Sequence, residues 1–338
     1  MLTAMLSKPG TIEVHDVILP EPSEGELLVQ VKAALTCGTD LKAFVRGHSL
    51  IPMPGPFGHE FSGIVVDKGK GVTKFRIGDA IMAVHSAPCL RCSYCGKGLF
   101  NLCEQLMATK VLGSFAEYVL LPRHVVSQNV FRKPDGLTFK EAAFLEPLAC
   151  VVHGMENLCI KKDETVFIIG AGPIGLLHLL LARKKGARVM ITGLEKERLK
   201  TAKKLGAEYI CDPANAADAA KDFSGGIGVD YVFECTGQPA IWEVSVDYVR
   251  RGGTVVLFGG CRADTTVTFN AERLHYDEIT LKGTFHFTPD DVKKAQLLLK
   301  DRKINVQPLI SGTVRLKEIQ QAFMKLVSGE GIKYAIVP

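Results

Sequence analysis

A chain of 338 residues, 47% hydrophobic and 23% charged, is long enough for two ordinary domains and is average for a globular protein, which excludes a disordered, collagen-like or coiled-coil chain. The apolar run from Val166 to Ala182 is broken by Gly170, Gly172, Pro173, Gly175 and His178, so it is no plain membrane span, and MLTAMLSKPG lacks a basic stretch before an apolar core, so the expectation is a cytoplasmic protein without a secretory leader. Forty-one basic against thirty-six acidic residues, net +5, is too mild and too dispersed for a nucleic-acid footprint.

In chain order, the first 130 residues read as β-rich. LLVQVKAAL, GIVVDKG and AEYVLLP are short runs of apolar and β-branched residues, with Gly and Pro in the gaps. FKEAAFLEPLACVVHGMENL, from residue 139, has helical spacing interrupted only by Pro147 and the late glycine. From residue 164 strands and helices alternate: ETVFIIG, then PIGLLHLLLARKKG, RVMITG, EKERLKTAKKLG, EYICDP, VDYVFECTG, a helix around Ile241–Arg250, and GGTVVLFGG. That rhythm predicts a doubly wound parallel sheet, so the fold class is α/β with a separate β-rich domain. The tail from about Pro289 holds a helix (DDVKKAQLLLKDRK), a short strand and a second helix (LKEIQQAFMKLVSG), and by pattern alone it closes either domain.

The ten cysteines are more telling. A chain this long builds its own core without a disulfide framework. Cys89, Cys92, Cys95 and Cys103 are spaced C-x2-C-x2-C-x7-C, and four thiolates in one loop close a tetrahedron around Zn²⁺ with no open position, a structural site. An iron–sulfur cluster lacks the usual ferredoxin spacing here, disulfides suit the compartment poorly, and a nucleic-acid zinc ribbon lacks its basic stripe. Cys150, Cys159, Cys211, Cys235 and Cys261 sit in apolar surroundings and read as buried thiols. His15, His85, His124, His178 and His275 have no motif context.

Gly170-Ala171-Gly172-Pro173-Ile174-Gly175 lies between a predicted strand and a predicted helix, the context that turns a weak GxGxxG match into a strong dinucleotide fingerprint. Gly170 permits the turn, Gly172 lets backbone approach a pyrophosphate, Gly175 allows close packing, and the helix start offers free N–H groups to phosphate. The second strand ends at Gly193, where an NAD site usually carries Asp or Glu for the ribose 2′-hydroxyl. Lys196 and Arg198 follow, so the expectation leans to NADP(H), although Glu195 is close enough to act as a substitute carboxylate.

GHEFSGIVVDKGKGV, residues 58–72, resembles the signature of the zinc-containing alcohol dehydrogenases of the medium-chain dehydrogenase/reductase family. The similarity continues through CGTDL, the four-cysteine loop ending GLFNLC, FAEYVLLP, LEPLACVVHG, GAGPIGLL, VFECTG and GGTVVLFGG. LEPLAC is closer to the polyol branch, the sorbitol- and threonine-type enzymes. The resemblance implies a GroES-like β domain formed by residues 1–147 with 289–338, and a Rossmann domain at 148–288. It also implies two zinc ions. The catalytic one is bound by Cys37, His59 and Glu60, with Glu146 or water completing the sphere, and the structural one by the four-cysteine loop. Thr236 and Gly259 fall at cofactor-binding positions.

The implied reaction is oxidation of a secondary alcohol or polyol to a ketone, and its reverse. A metal-bound alkoxide would give hydride to the nicotinamide. Thr39 stands at the relay hydroxyl, while Lys42 occupies the next relay position, where the family often has His, leaving water or His48 to continue the route. His286 in GTFHFTP replaces an Arg common in sorbitol-type enzymes and reads either as a substrate or cofactor contact or as a structural residue. The alternatives are a threonine-type or sugar-alcohol-phosphate dehydrogenase and, in another class, a non-catalytic zinc and dinucleotide binder. The resemblance implies a homotetramer or dimer, with no nucleic-acid or membrane partner.

Overall fold

The computed structural model describes residues 1–338, which separate into two units: Met1–Cys150 with His286–Pro338, and Val151–Phe285. Each boundary falls three residues from the 1–147, 289–338 division, and the helix Leu145–Gly154 runs through the first of them.

In the first unit LLVQVKAAL is the central strand, Leu27–Leu35, buried along nearly its whole length. The seven-stranded sheet runs Ile310–Arg315, Lys333–Val337, Leu27–Leu35, Glu60–Lys68, Ala80–Ala83, Val130–Arg132, with Tyr118–Leu121 also paired to Leu27–Leu35. The C-terminal tail thus returns to the N-terminal sheet. A three-stranded sheet of Thr11–Asp16, Leu2–Lys8 and Gly55–Pro56 accompanies it. Phe57, Phe115 and Phe323 are fully buried, with ring centroids 4.9 to 6.0 Å apart, and anchor the core.

The register places the ends of several strands side by side. Leu35 pairs with Glu60, Phe61 with Ala83, and Ala335 with Leu35. Residues just past these pairs, Cys37, His59, His85 and Lys333, therefore share one edge of the sheet.

In the second unit six parallel strands run Tyr209–Cys211, Arg188–Thr192, Thr165–Ile169, Val229–Glu234, Val249–Leu257, Thr280–Gly283, the Rossmann order with its reversal between the third and fourth. The glycine fingerprint lies at the carboxyl end of Thr165–Ile169, beside that switch point.

Three sequence expectations are corrected. FKEAAFLEPLACVVHGMENL is two helices, Phe139–Ala142 and Leu145–Gly154. Thr138 and Glu141 cap the first reciprocally, and Pro147 lacks the N–H to continue an earlier helix but fits a first turn. The helix expected around Ile241–Arg250 is Pro239–Val244 with a short 3-10 turn, because Val249 already pairs with Val229 in the sheet. Of the five cysteines expected to be buried only Cys211 is; Cys150, Cys235 and Cys261 are half-buried and Cys159 is exposed. No helix is long and apolar enough to cross a membrane.

Candidate metal and nucleotide sites

Cys37 begins the helix Gly38–Arg46, His59 and Glu60 open the strand Glu60–Lys68, and the Leu35–Glu60 pairing brings them together. One donor atom from each of Cys37, His59 and Glu60 lies within 4.8 Å of the others. The soft, borderline and hard donors of this set suit zinc.

Two residues missed in the sequence hold this set. Asp40 is fully buried, its Oδ2 accepts the Cys37 N–H at 3.3 Å, and its Oδ1 lies 3.3 Å from His59 Nδ1. A carboxylate on one imidazole nitrogen fixes the ring and leaves the other nitrogen for a metal. Burial alone pushes the His59 pKa down, but Asp40 and Cys37 beside it lift it well above the usual imidazole range. Lys333 Nζ is also fully buried and donates to Glu60 Oε1 at 2.7 Å, Glu60 Oε2 at 2.5 Å and the Thr36 carbonyl at 2.7 Å. Burial raises the Glu60 pKa and Lys333 opposes it. CGTDL contains Asp40 three residues after Cys37, a signal that spacing offered; Lys333 at the start of an apolar strand gave none.

Glu146 lies in a different group. Its donor atom falls with those of His85 and His286, all within 4.8 Å of one another. His85 Nδ1 is 3.5 Å from Glu146 Oε1, and Cys150 Sγ is 3.7 Å from the same oxygen. Burial pushes the Glu146 pKa up to about 7. Burial, with His59 and His286 nearby, holds His85 well below the usual imidazole value. The rings of His59 and His85 are 5.0 Å apart, so the two groups adjoin. His85, set aside in the sequence for want of a motif, therefore belongs to the site. His286 stacks on Phe287 at 3.9 Å and shares a 2.6 Å hydrogen bond with Ser86 Oγ.

Thr39 is half-buried in the first turn after Cys37, and Lys42 follows it on the same helix. The Leu50 N–H donates to His48 Nδ1 at 3.2 Å, so His48 serves its own loop.

Cys89, Cys92, Cys95 and Cys103 place their sulfurs within 4.8 Å of one another. The Cys89 N–H donates to Cys103 Sγ at 3.2 Å, and backbone N–H groups of Cys95 and Glu104 draw the Cys92 thiol down to about 6. Donors aimed at sulfur favour thiolates, the form a tetrahedral zinc takes.

At the fingerprint, a Cβ on Gly175 would lie 1.9 Å from the Gly170 carbonyl, so the helix Pro173–Lys184 packs where only glycine fits. A Cβ on Gly172 would meet nothing within 4 Å, which leaves open space beside the helix start for a pyrophosphate. Glu234 is fully buried, accepts from the Thr236 N–H at 2.7 Å and from the Thr236 hydroxyl, and packs where a Gly259 Cβ would sit 2.8 Å from it. Thr236 and Gly259 are thus held at the switch point. A Cβ on Gly193 would lie 2.7 Å from Ala171 Cβ. The missing carboxylate at Gly193 therefore has a packing reason as well. Arg198 Nη1 is 3.4 Å from Glu195 Oε2, while Lys196 opens the helix Lys196–Lys204.

Residues 23–135 match the alcohol dehydrogenase GroES-like domain family and residues 173–301 the zinc-binding dehydrogenase family. Among curated proteins, sorbitol dehydrogenase of Halalkalibacterium halodurans is 34% identical over 94% of each chain. D-arabitol-phosphate dehydrogenase of Enterococcus avium is 33% identical over 95% of this chain and 92% of its own. Among solved structures, a protein of Sinorhizobium meliloti assigned as a zinc-binding dehydrogenase and bound to NADP is 33% identical, with a TM-score of 0.90 over 100% of this chain and 99% of that one.

Proposed function

The chain belongs to the zinc-binding dehydrogenases of the medium-chain dehydrogenase/reductase family, and from that membership we propose that it oxidises a secondary alcohol of a polyol to a ketone, with NADP⁺ preferred as acceptor. The observation that carries the proposal is the convergence of half-buried Cys37 with buried His59 and Glu60, beside buried Glu146 and His85 and half-buried His286. Zinc held there by Cys37 and His59, with Glu60, Glu146 or water as further donors, supplies a Lewis acid that lowers the pKa of an alcohol. A nicotinamide nucleotide bound at the glycine fingerprint would supply the hydride acceptor that turns the alcohol into a ketone.

The chain's own residues do the rest. Asp40 holds the His59 ring in one orientation, and Lys333 neutralises Glu60, so the two carboxylates of the site are unlike in charge balance. Thr39 Oγ1 takes the alcohol proton while passing its own to water, since Lys42 stands at the next relay position. Gly172, Pro173 and Ile174 begin the helix that takes the pyrophosphate, with Gly170 and Gly175 shaping the turn. Lys196 and Arg198 bring positive charge suited to a 2′-phosphate just after Gly193, which has no side chain for a 2′-hydroxyl, and the Sinorhizobium relative carries NADP. The four-cysteine loop holds a second, structural zinc. The chain assembles as a dimer or tetramer, which sedimentation velocity tests.

The decisive experiment is a panel of polyols, polyol phosphates, secondary alcohols and threonine assayed with NADP⁺ and NAD⁺ on protein of measured zinc content. Alcohol-dependent cofactor reduction is expected, with the higher kcat/KM for NADP⁺. Reduction of neither cofactor by any member at full zinc content would falsify the dehydrogenase reading. Thr39→Ala is expected to cut kcat by about 10²-fold or more while nucleotide affinity holds; an unchanged kcat removes Thr39 from the relay.

A further inference from the structure

We propose that the buried carboxylate of Glu234 biases the nucleotide site toward the oxidised cofactor, by attracting the pyridinium charge that hydride transfer removes; the proposal rests on the dinucleotide-binding reading of the fingerprint. The first observation is a charge without a counter-ion. Glu234 ends the strand Val229–Glu234 and is 0% exposed. The groups that hydrogen-bond to it belong to Thr236, Gly237 and Trp242, all donors and none a cation. A buried carboxylate is ordinarily paired, as Glu60 is with Lys333. The hydrogen-bond pattern suits an anion. The N–H groups of Thr236 and Gly237 point at it from 2.7 and 3.2 Å, and the Thr236 hydroxyl donates to it while accepting the Gln238 N–H at 3.2 Å. Burial pushes its pKa above the usual carboxylate value, against the pull of these donors.

The second observation is that the local turn calls for an acceptor rather than a charge. The Thr236 N–H and hydroxyl both end on Oε1, and the Gly237 N–H is shared between Oε1 and Oε2 at 3.2 Å each. A neutral amide oxygen would receive the same bonds at the Oε1 position. The negative charge itself is therefore open to a partner outside the turn.

The third observation is where the charge lies. Strands Arg188–Thr192 and Thr165–Ile169 end in Gly193 and the fingerprint, the positions that take the adenosine ribose and the pyrophosphate of a dinucleotide. The nicotinamide half then falls to the carboxyl ends of Val229–Glu234 and Val249–Leu257, across the switch point. There the carboxylate lies beneath glycine. A Cβ on Gly259 would sit 2.8 Å from Oε2, and one on Gly237 2.4 Å from the Gly260 carbonyl, so the two turns close over Glu234 with backbone in place of side chains. Trp242 Nε1 braces them by donating to the Gly259 carbonyl at 3.0 Å. A Cβ on Gly260 would meet nothing within 4 Å, which leaves open space beside this cover.

Hydride transfer turns the cationic pyridinium into a neutral dihydropyridine, with two electrons and a proton coming from the C–H bond of the alcohol. The phosphates of both forms feel Glu234 alike, so the ratio of the two affinities isolates the ring. Unit charges about 10 Å apart in partly buried surroundings change such a ratio about tenfold.

The test titrates NADP⁺, NADPH, NAD⁺ and NADH into the zinc-loaded chain at about pH 8, read by the fluorescence of Trp242, the chain's one tryptophan. Glu234→Gln keeps an acceptor and removes the charge. It is expected to weaken the oxidised form of whichever pair binds by about tenfold, while the reduced form changes less than about twofold. Equal weakening of both forms makes Glu234 a mere support of the turn and overturns the proposal, as does no change in either. If Glu234→Gln fails to fold, Glu234→Asp and Glu234→Asn, alike in shape and unlike in charge, give the same comparison. A ratio about tenfold less favourable to the oxidised form in the Asn variant than in the Asp variant upholds the proposal, and equal ratios overturn it. If wild type binds none of the four nucleotides, the dinucleotide reading falls and takes the proposal with it; binding whose ratio ignores the charge sinks the proposal alone.

Discussion

At the scale of single residues, the site is a balance of buried charge. Lys333 and Glu60 have side chains only 1% and 0% exposed and satisfy one another, so the pair is tolerated where either alone would not be. Lys333→Met is expected to destabilise the protein by about 3–5 kcal/mol in urea unfolding, and Lys333→Met with Glu60→Gln to regain most of it. Additive losses in the double variant would show that the ion pair is not the cause. The four-cysteine loop is a second case. Its cluster is small, Cys95, Cys103 and Leu106 with a few half-buried neighbours, so the metal carries what the core lacks. Cys92→Ser is expected to remove one zinc per chain by elemental analysis and to leave the fingerprint's nucleotide binding in place. These ligand residues were legible because their spacing is local. His85 was not, since a lone histidine carries no pattern and only the Phe61–Ala83 pairing brings its segment to the His59 edge.

At the scale of elements, close backbone approach decides cofactor geometry. The strand Arg188–Thr192 ends against the fingerprint so tightly that Gly193 has no room for a Cβ beside Ala171. Gly193→Asp, the obvious substitution to favour NAD, is therefore expected to lower Tm by several degrees and weaken both nucleotides rather than exchange one for the other. A clean gain in NAD⁺ affinity at unchanged Tm refutes the packing argument. Gly175→Ala is expected to displace the turn, since its Cβ would fall 1.9 Å from the Gly170 carbonyl, and to cost most nucleotide binding in a fluorescence titration. The alternation of strand and helix made this unit readable from sequence. The helix around Ile241–Arg250 was overextended because helical spacing cannot reveal that Val249 pairs with Val229 in a parallel sheet.

At the scale of the whole molecule, stability is expected to depend on pH through a histidine outside the candidate metal set, on the fingerprint helix Pro173–Lys184. His178 is fully buried between Phe233 and Phe258, its Nδ1 is 3.0 Å from the Ile174 carbonyl, and burial lowers its pKa from 6.5 to about 4. Above pH 6.5 neither folded nor unfolded His178 is charged, and the group's effect is nil. As pH falls from 6.5 toward 4 the unfolded chain takes up the proton first, so stability declines by up to about 3 kcal/mol. Urea midpoints measured from pH 7.5 to 4.5 are expected to fall, with a shallower slope in His178→Asn. An equal slope in the variant assigns the loss to other groups.

The sequence by itself determined the fold class, the dinucleotide fingerprint and the four-cysteine loop, because each is written in short-range spacing along the chain. Cys37, His59 and Glu60 came from the resemblance to the zinc-containing alcohol dehydrogenases, since their own spacing does not join them. Only the tertiary structure decided who surrounds them. Asp40 turns back to Cys37 and His59, and Lys333 reaches Glu60 and the Thr36 carbonyl from 297 residues past Thr36. Glu146 lies with His85 and His286, beside the Cys37 set. The physical reason is register. Strand pairing fixes which distant residues end on the same edge of the sheet, and burial there sets their charge, and neither quantity is a property of any local stretch of sequence.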